Sequence, residues 1–148
     1  MSQDKGSYAL LLALKDELRL NVGRLGLCLL PPGCYLYVGS AQAGLERRLS
    51  RHLGGGQKRL RWHIDYLLQH AEVVEVWYAL AEGRLECIWG RAARQLPQAR
   101  IPTPGFGSSD CRCRSHLIFF PAPPSFSLFR DKLKEQGLHV EQRHAGFG

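Results

Sequence analysis

Tyr8-Ala9-Leu10-Leu11-Leu12-Ala13-Leu14 is an unbroken apolar run between Gly6 and the charged triplet Lys15-Asp16-Glu17. A run without a polar break has to be buried. Its length suits a strand inside a sheet, although its leucine and alanine content also fits a helix. It falls far short of the ~20 residues that a bilayer-spanning helix needs. Asp4 and Lys5 stand where the apolar core of a secretory leader would begin. The chain of 148 residues, 45% hydrophobic and 22% charged, is sized to bury one core without covalent staples. Its five cysteines are an odd number and need not form a disulfide framework. A disulfide-rich secreted protein and an integral membrane protein are thereby disfavoured, and the expected compartment is the reducing cytoplasm.

Further along, Leu25 to Leu30 is a second apolar segment, stopped by the turn signal Pro31-Pro32-Gly33. Cys34-Tyr35-Leu36-Tyr37-Val38-Gly39 follows with aromatic and branched residues, so the two segments predict a β-hairpin. Leu45, Leu49 and Leu53 recur every four residues and predict a helix, ended by Gly54-Gly55-Gly56. A second helix is expected over Trp62 to His70, with Ile64, Leu67, Leu68 and Ala71 on one face. Glu72 to Leu80 reads as a strand, and Leu85 to Leu96 as an amphipathic helix closed before Pro97. Residues 97–115, rich in Pro, Gly, Ser and Cys, form a long loop, and such loops are often functional. Leu117 to Phe120 suggests a last strand and Ser125 to Gln136 a last helix, with loose order from about 137. The pattern predicts a single α/β domain of the α+β type over 1–148.

Charge is concentrated. Between Gly44 and His63 stand Arg47, Arg48, Arg51, Lys58, Arg59 and Arg61, opposed only by Glu46, in a chain of net charge +7. A basic stretch of this kind fits an anionic partner, most often nucleic acid, although a solvated helix face would look the same. Helical spacing separates its members. Arg48 and His52 fall on the shoulder of the leucine stripe and lean toward the sheet that carries Tyr37. Arg47 and Arg51 fall on the opposite side, free to meet phosphates from solution.

Gly6-Ser7-Tyr8, Tyr37-Val38-Gly39 and Leu45-Glu46-Arg47-Arg48-Leu49 with His52 together resemble the GIY-YIG nuclease superfamily. The resemblance extends through Trp62-His63-Ile64-Asp65-Tyr66-Leu67-Leu68 and through Gly105 to Leu117, where the chain is similar to an uncharacterised branch, domain of unknown function 123. The resemblance implies a small antiparallel sheet of three to five strands flanked by helices. It also implies one divalent ion, Mg2+ or Mn2+, on a single glutamate, and hydrolysis of phosphodiester bonds in DNA. By motif, Tyr8 becomes base or relay, Tyr37 its support and Arg48 the phosphate-stabilising cation, with Gly39 and Ser40 in the cleft. Glu86, in the opening turn of the third helix, is taken as the metal ligand, with the small residues Gly90 and Ala93 beside it to leave room. An acid there is equally what the helix dipole favours. Ser7 and Val38 stand where the family has isoleucine, and about thirty residues separate the two tyrosines, which makes Leu25–Leu30 an inserted strand. One additional residue before the Leu-x-x-Arg-Leu segment leaves Arg47 as a rival to Arg48. Asn21, the only asparagine, lies too early to match the family's downstream one, so Asp110 is the candidate substitute.

The chemistry sets conditions on these residues. A phenol of ordinary pKa ~10 serves as base only if a cation or metal lowers it. Arg48 can do part of that, and His52 can shuttle a proton near neutral pH. One carboxylate suits one ion completed by waters. Cys111, Cys113 and His116 have the spacing of three soft zinc ligands, with Cys87, His63 or His70 as a fourth; the alternative is ordered loop cysteines with Arg112 and Arg114 facing phosphate. His63 is expected in the cleft, paired with Asp65. Trp62 suits the core, or a base stacked beside Arg59 and Arg61. A non-catalytic nucleic-acid-binding or adaptor module of the same fold is the alternative to a nuclease.

Overall fold

Burial on both faces decides where each strand goes. The computed structural model describes residues 4–54, 62–107 and 115–144. Strand β1 (Gly6–Leu14) is buried almost throughout and lies at the centre of a five-stranded sheet. Its neighbours are β4 (Gly33–Ala41) and β5 (Glu72–Leu80), both antiparallel to it. Two short edge strands complete the sheet, β6 (Leu117–Phe120) on β4 and β7 (Glu141–His144) on β5. Strands β2 (Leu18–Val22) and β3 (Gly26–Leu30) form a separate antiparallel ribbon, joined by a 3-10 turn at Gly23–Leu25. Among the described residues four helices flank the sheet: α1 (Leu45–Leu53), α2 (His63–Leu67), α3 (Glu86–Arg94) and α4 (Phe126–Glu135).

The two-residue period of a strand divides the core into two layers. Tyr8, Leu10 and Leu12 of β1, with Tyr35 and Tyr37 of β4, face α1, α2 and the ribbon, which contribute Leu45, Leu49, Ile64, Leu67, Leu20, Val22, Cys28 and Leu30. Ala9 and Leu11, with Leu36, Val38 and Trp77, face α3 and α4 through Trp89, Ala92, Ala93, Phe129 and Leu133. Each fully buried Leu, Ile, Val or Phe among them contributes ~1.5–3 kcal/mol. The tyrosine layer therefore belongs to α1, and the Glu86 helix packs on the other face.

Three expectations need correction. The Pro31-Pro32-Gly33 turn does reverse the chain, but β3 and β4 do not form a hairpin. Every β4 residue from Tyr35 to Gly39 is buried, so β4 requires a place between β1 and β6. In β3 only Cys28 and Leu30 are buried, which a two-stranded ribbon satisfies. The helix expected over Trp62 to His70 is regular only over His63–Leu67. The segment expected to be loose from about 137 carries β7, a polar edge strand paired from Glu141 opposite Tyr78 to His144 opposite Glu75.

Candidate active site

The cleft begins where β6 ends. β6 pairs with β4 only from Cys34 to Tyr37, and the Val38 N–H then donates to the His116 carbonyl at 3.0 Å. From Gly39 onward, among the described residues, β4 has no strand on that side. Side chains from both layers can reach round this open end. The resulting cleft, about 330 Å³, is lined by Tyr8, Tyr37, Arg48 and Glu86, together with Gly39, Ser40, Gln42, Trp62, Arg84, Gly107 and His116.

Tyr8 lies opposite Gly39 in the β1–β4 register. A Cβ at position 39 would come within 2.5 Å of the Tyr8 hydroxyl oxygen, so the ring can cross the neighbouring strand only because residue 39 is glycine. The Tyr8 hydroxyl lies 2.8 Å from His52 Nε2, in a buried contact between β1 and α1. Burial pushes Tyr8 up to about 12, against the opposing charge and hydrogen bond of the Arg48 guanidinium. Tyr37 is also raised well above the ordinary phenol value, by burial first and then by Tyr8 beside it, the two rings being 6.4 Å apart. Gly107, at φ 73°, closes the far wall. Its N–H donates to His63 Nδ1 at 2.8 Å, and a Cβ there would strike the Tyr37 ring.

Arg48 is held on two sides. It donates to the Ser40 carbonyl at 3.2 Å, and its guanidinium lies 4.3 Å over the Trp62 ring. Glu86 enters from α3, where one carboxylate oxygen, Oε2, is buried without a hydrogen-bond partner among the described residues. Its charge reaches Tyr8, Tyr37 and His116. A buried carboxylate oxygen facing a polar cleft suits a hard divalent cation otherwise ligated by water. No group of three His, Cys, Asp or Glu side chains among the described residues could form a fuller cage.

A family model described as "Domain of unknown function DUF123" matches residues 7–137. The chain belongs to this family. The matched span takes in every cleft residue of the DUF123 domain and stops before β7. No curated protein and no solved structure matches the chain.

Within the DUF123 domain, Tyr8, Tyr37, Arg48, Glu86, Gly39 and Ser40 meet as expected, with His52 directly behind Tyr8. Arg47 is exposed and does not line the cleft, whereas Arg48 does. Arg51 differs from expectation. It donates to Asp65 Oδ2 at 2.6 Å and lies 4.7 Å over Trp62, so it is not a solvated phosphate ligand. The reason is Asp65, which is fully buried, also accepts the Trp62 N–H, and requires a cation. His63 accordingly does not pair with Asp65; it accepts from Gly107.

The space beside Glu86 likewise has another origin. Ala93 is core, and Val38, Arg94 and His116 surround Gly90, so room comes from the open end of β4. His116 lines the cleft, with Nε2 3.9 Å from Cys87 Sγ, and burial lowers its pKa. His70 is exposed. Lys58, Arg59, Arg61, Asp110, Cys111, Arg112, Cys113 and Arg114 lie outside the described residues. Sequence reasoning missed Arg84 and Gln42 as cleft residues. Gln42 donates to the Gly83 carbonyl at 3.1 Å, tying the loop that carries Arg84 to the end of β4. The only signal was Arg84's place two residues before Glu86.

Proposed function

We propose that this domain is a metal-dependent endonuclease of the GIY-YIG type, hydrolysing phosphodiester bonds in DNA. The observation that carries the reading is the convergence of Tyr8, Tyr37, Arg48 and Glu86, from four different elements, on one polar cleft. Glu86 would hold Mg2+ or Mn2+ through its otherwise unpartnered Oε2, with water completing the coordination. Such an ion, when bound, neutralises phosphate charge and stabilises the leaving oxygen.

The protein's own groups account for the proton and for the developing charge. Tyr8 is a neutral phenol at neutral pH, and burial makes it harder still to ionise, so its oxygen can take a proton from water only as its own proton leaves. His52 Nε2, 2.8 Å away, receives that proton when the imidazole carries its hydrogen on Nδ1. Tyr8 thus relays from water to His52, and Tyr37 packs beside it. Arg48, fixed by Ser40 and Trp62, offers its remaining N–H groups to the phosphoryl oxygens. Arg84 at the rim and exposed Arg47 suit the flanking phosphates. Contacts of this type fix the backbone without reading sequence.

The high pKa of Tyr8 favours a second reading, a nucleic-acid-binding module of the same fold without turnover. Nicking of supercoiled plasmid with Mg2+ or Mn2+ separates the two. Glu86→Ala and Arg48→Ala should each lower the wild-type rate by roughly 10²-fold or more. Cleavage that survives both substitutions removes the proposal. Salt-sensitive DNA binding with no cleavage under any divalent ion decides for the binding module.

A further inference from the structure

We infer that Ser40, supported by the buried hydroxyl of Ser7, is a positioning residue that sets Glu86 and Arg48 in one frame. The inference rests on the nuclease reading of the cleft and adds the two serine hydroxyls to it. Leu85, the N-cap of α3, supplies the helix with no side-chain cap. The Leu85 N–H instead donates across to Ser40 Oγ on β4, at 3.1 Å. Glu86 is the next residue, so this bond fixes the end of the helix from which the carboxylate projects. The main chain of the same serine holds the cation, since Arg48 donates to the Ser40 carbonyl at 3.2 Å. One residue therefore grips both layers of the fold where they meet.

Ser7 completes the device. It lies opposite Ser40 in the β1–β4 register, and the two hydroxyl oxygens are 3.4 Å apart. Ser7 is fully buried in a strand that is otherwise apolar from Tyr8 to Leu14. A hydroxyl has one proton and two lone pairs, so Ser40 Oγ can accept from Leu85 and still bond Ser7. Packing alone would be served better by an apolar side chain at position 7. The hydroxyl there stops Ser40 from turning away from α3.

Three measurements on Ser40→Ala, Ser40→Thr and Ser7→Ala test the inference: Mn2+ affinity by paramagnetic resonance of the free ion, exchange of the Leu85 amide, and binding of duplex DNA without metal. Ser40→Ala should weaken Mn2+ binding and speed Leu85 exchange by about three- to tenfold, the value of one lost hydrogen bond. Metal-free DNA binding should change less than Mn2+ affinity does, because the Ser40 carbonyl still accepts from Arg48. Ser40→Thr should restore both properties, and Ser7→Ala should give a smaller change in the same direction. Wild-type Mn2+ affinity and Leu85 exchange in Ser40→Ala would overturn the inference. So would faster exchange spread evenly over α3 and β1, which marks a merely structural role. If the wild type neither binds Mn2+ nor cuts DNA, the nuclease reading fails, while Leu85 exchange alone still decides whether Ser40 holds α3.

Discussion

A methyl group at position 39 would lie 2.5 Å from the Tyr8 oxygen and 2.6 Å from its Cζ, and the buried Tyr8 ring could make room only by leaving its place in the core. Gly39→Ala should therefore destabilise the fold by about 1–3 kcal/mol. It should also break the Tyr8–His52 contact, so nicking falls more than the folded fraction does; urea denaturation and plasmid assays on the same sample compare the two. Arg47 and Arg51 make the opposite kind of pair, alike in sequence and different in role. Arg51→Ala removes the guanidinium that lies 2.6 Å from the buried Asp65 carboxylate, and should cost about 3 kcal/mol. Arg47→Ala should stay within about 0.5 kcal/mol in stability and weaken only DNA binding. Equal stability losses in thermal melts would contradict the assignment. The leucine stripe predicts the orientation of Arg48 and His52 correctly, because that orientation is local to one helix. It cannot reveal that Arg51 is claimed by a buried carboxylate fourteen residues on, which is a tertiary fact.

At the level of elements, legibility follows what each strand has to bury. β1 and β5 are legible because their apolar residues have to be buried, although the leucines and alanines of β1 fit a helix as well, and its place between two strands makes it a strand. β7 is polar and exposed along Glu141–His144, a character that suits a protected sheet edge and leaves no trace in hydropathy. β2 did carry a signal, since Leu18, Leu20 and Val22 alternate with Arg19 and Asn21, but the charged triplet before it obscures the period. A turn signal shows only that the chain reverses; it does not name the partner strand. Helices α3 and α4 differ in how they start, and that difference is testable. Ser125 caps α4 by accepting the Leu128 N–H at 3.2 Å, away from the cleft. Ser125→Ala should cost about 1 kcal/mol in urea denaturation and leave plasmid nicking unchanged. A loss of cleavage with no loss of stability would mean that α4 takes part in the site.

For the whole molecule, joining two core layers at one cleft makes the protonation of the cleft a property of the fold. Tyr8 keeps its proton to about pH 12 in the folded chain, whereas an unfolded phenol releases it near 10. Between those values the folded state binds more protons. Stability from Tyr8 is thus complete below pH 10 and is lost as pH rises to about 12, by about 3 kcal/mol. Tyr37, raised in the same direction, adds to the loss. The acid side has the opposite sign. Burial lowers His63 and His116 below the ordinary 6.5, so the unfolded chain gains protons first as pH falls through that value. His63 has a geometric reason as well, because its Nδ1 accepts the Gly107 N–H and cannot do so once protonated. Urea midpoints should form a plateau that falls away below about pH 6.5 and above about pH 10. Tyr8→Phe, though less stable throughout for want of the His52 contact, should fall less steeply on the alkaline side. Parallel alkaline limbs for Tyr8→Phe and the wild type would mean that burial in the fold does not raise the Tyr8 phenol above its ordinary value.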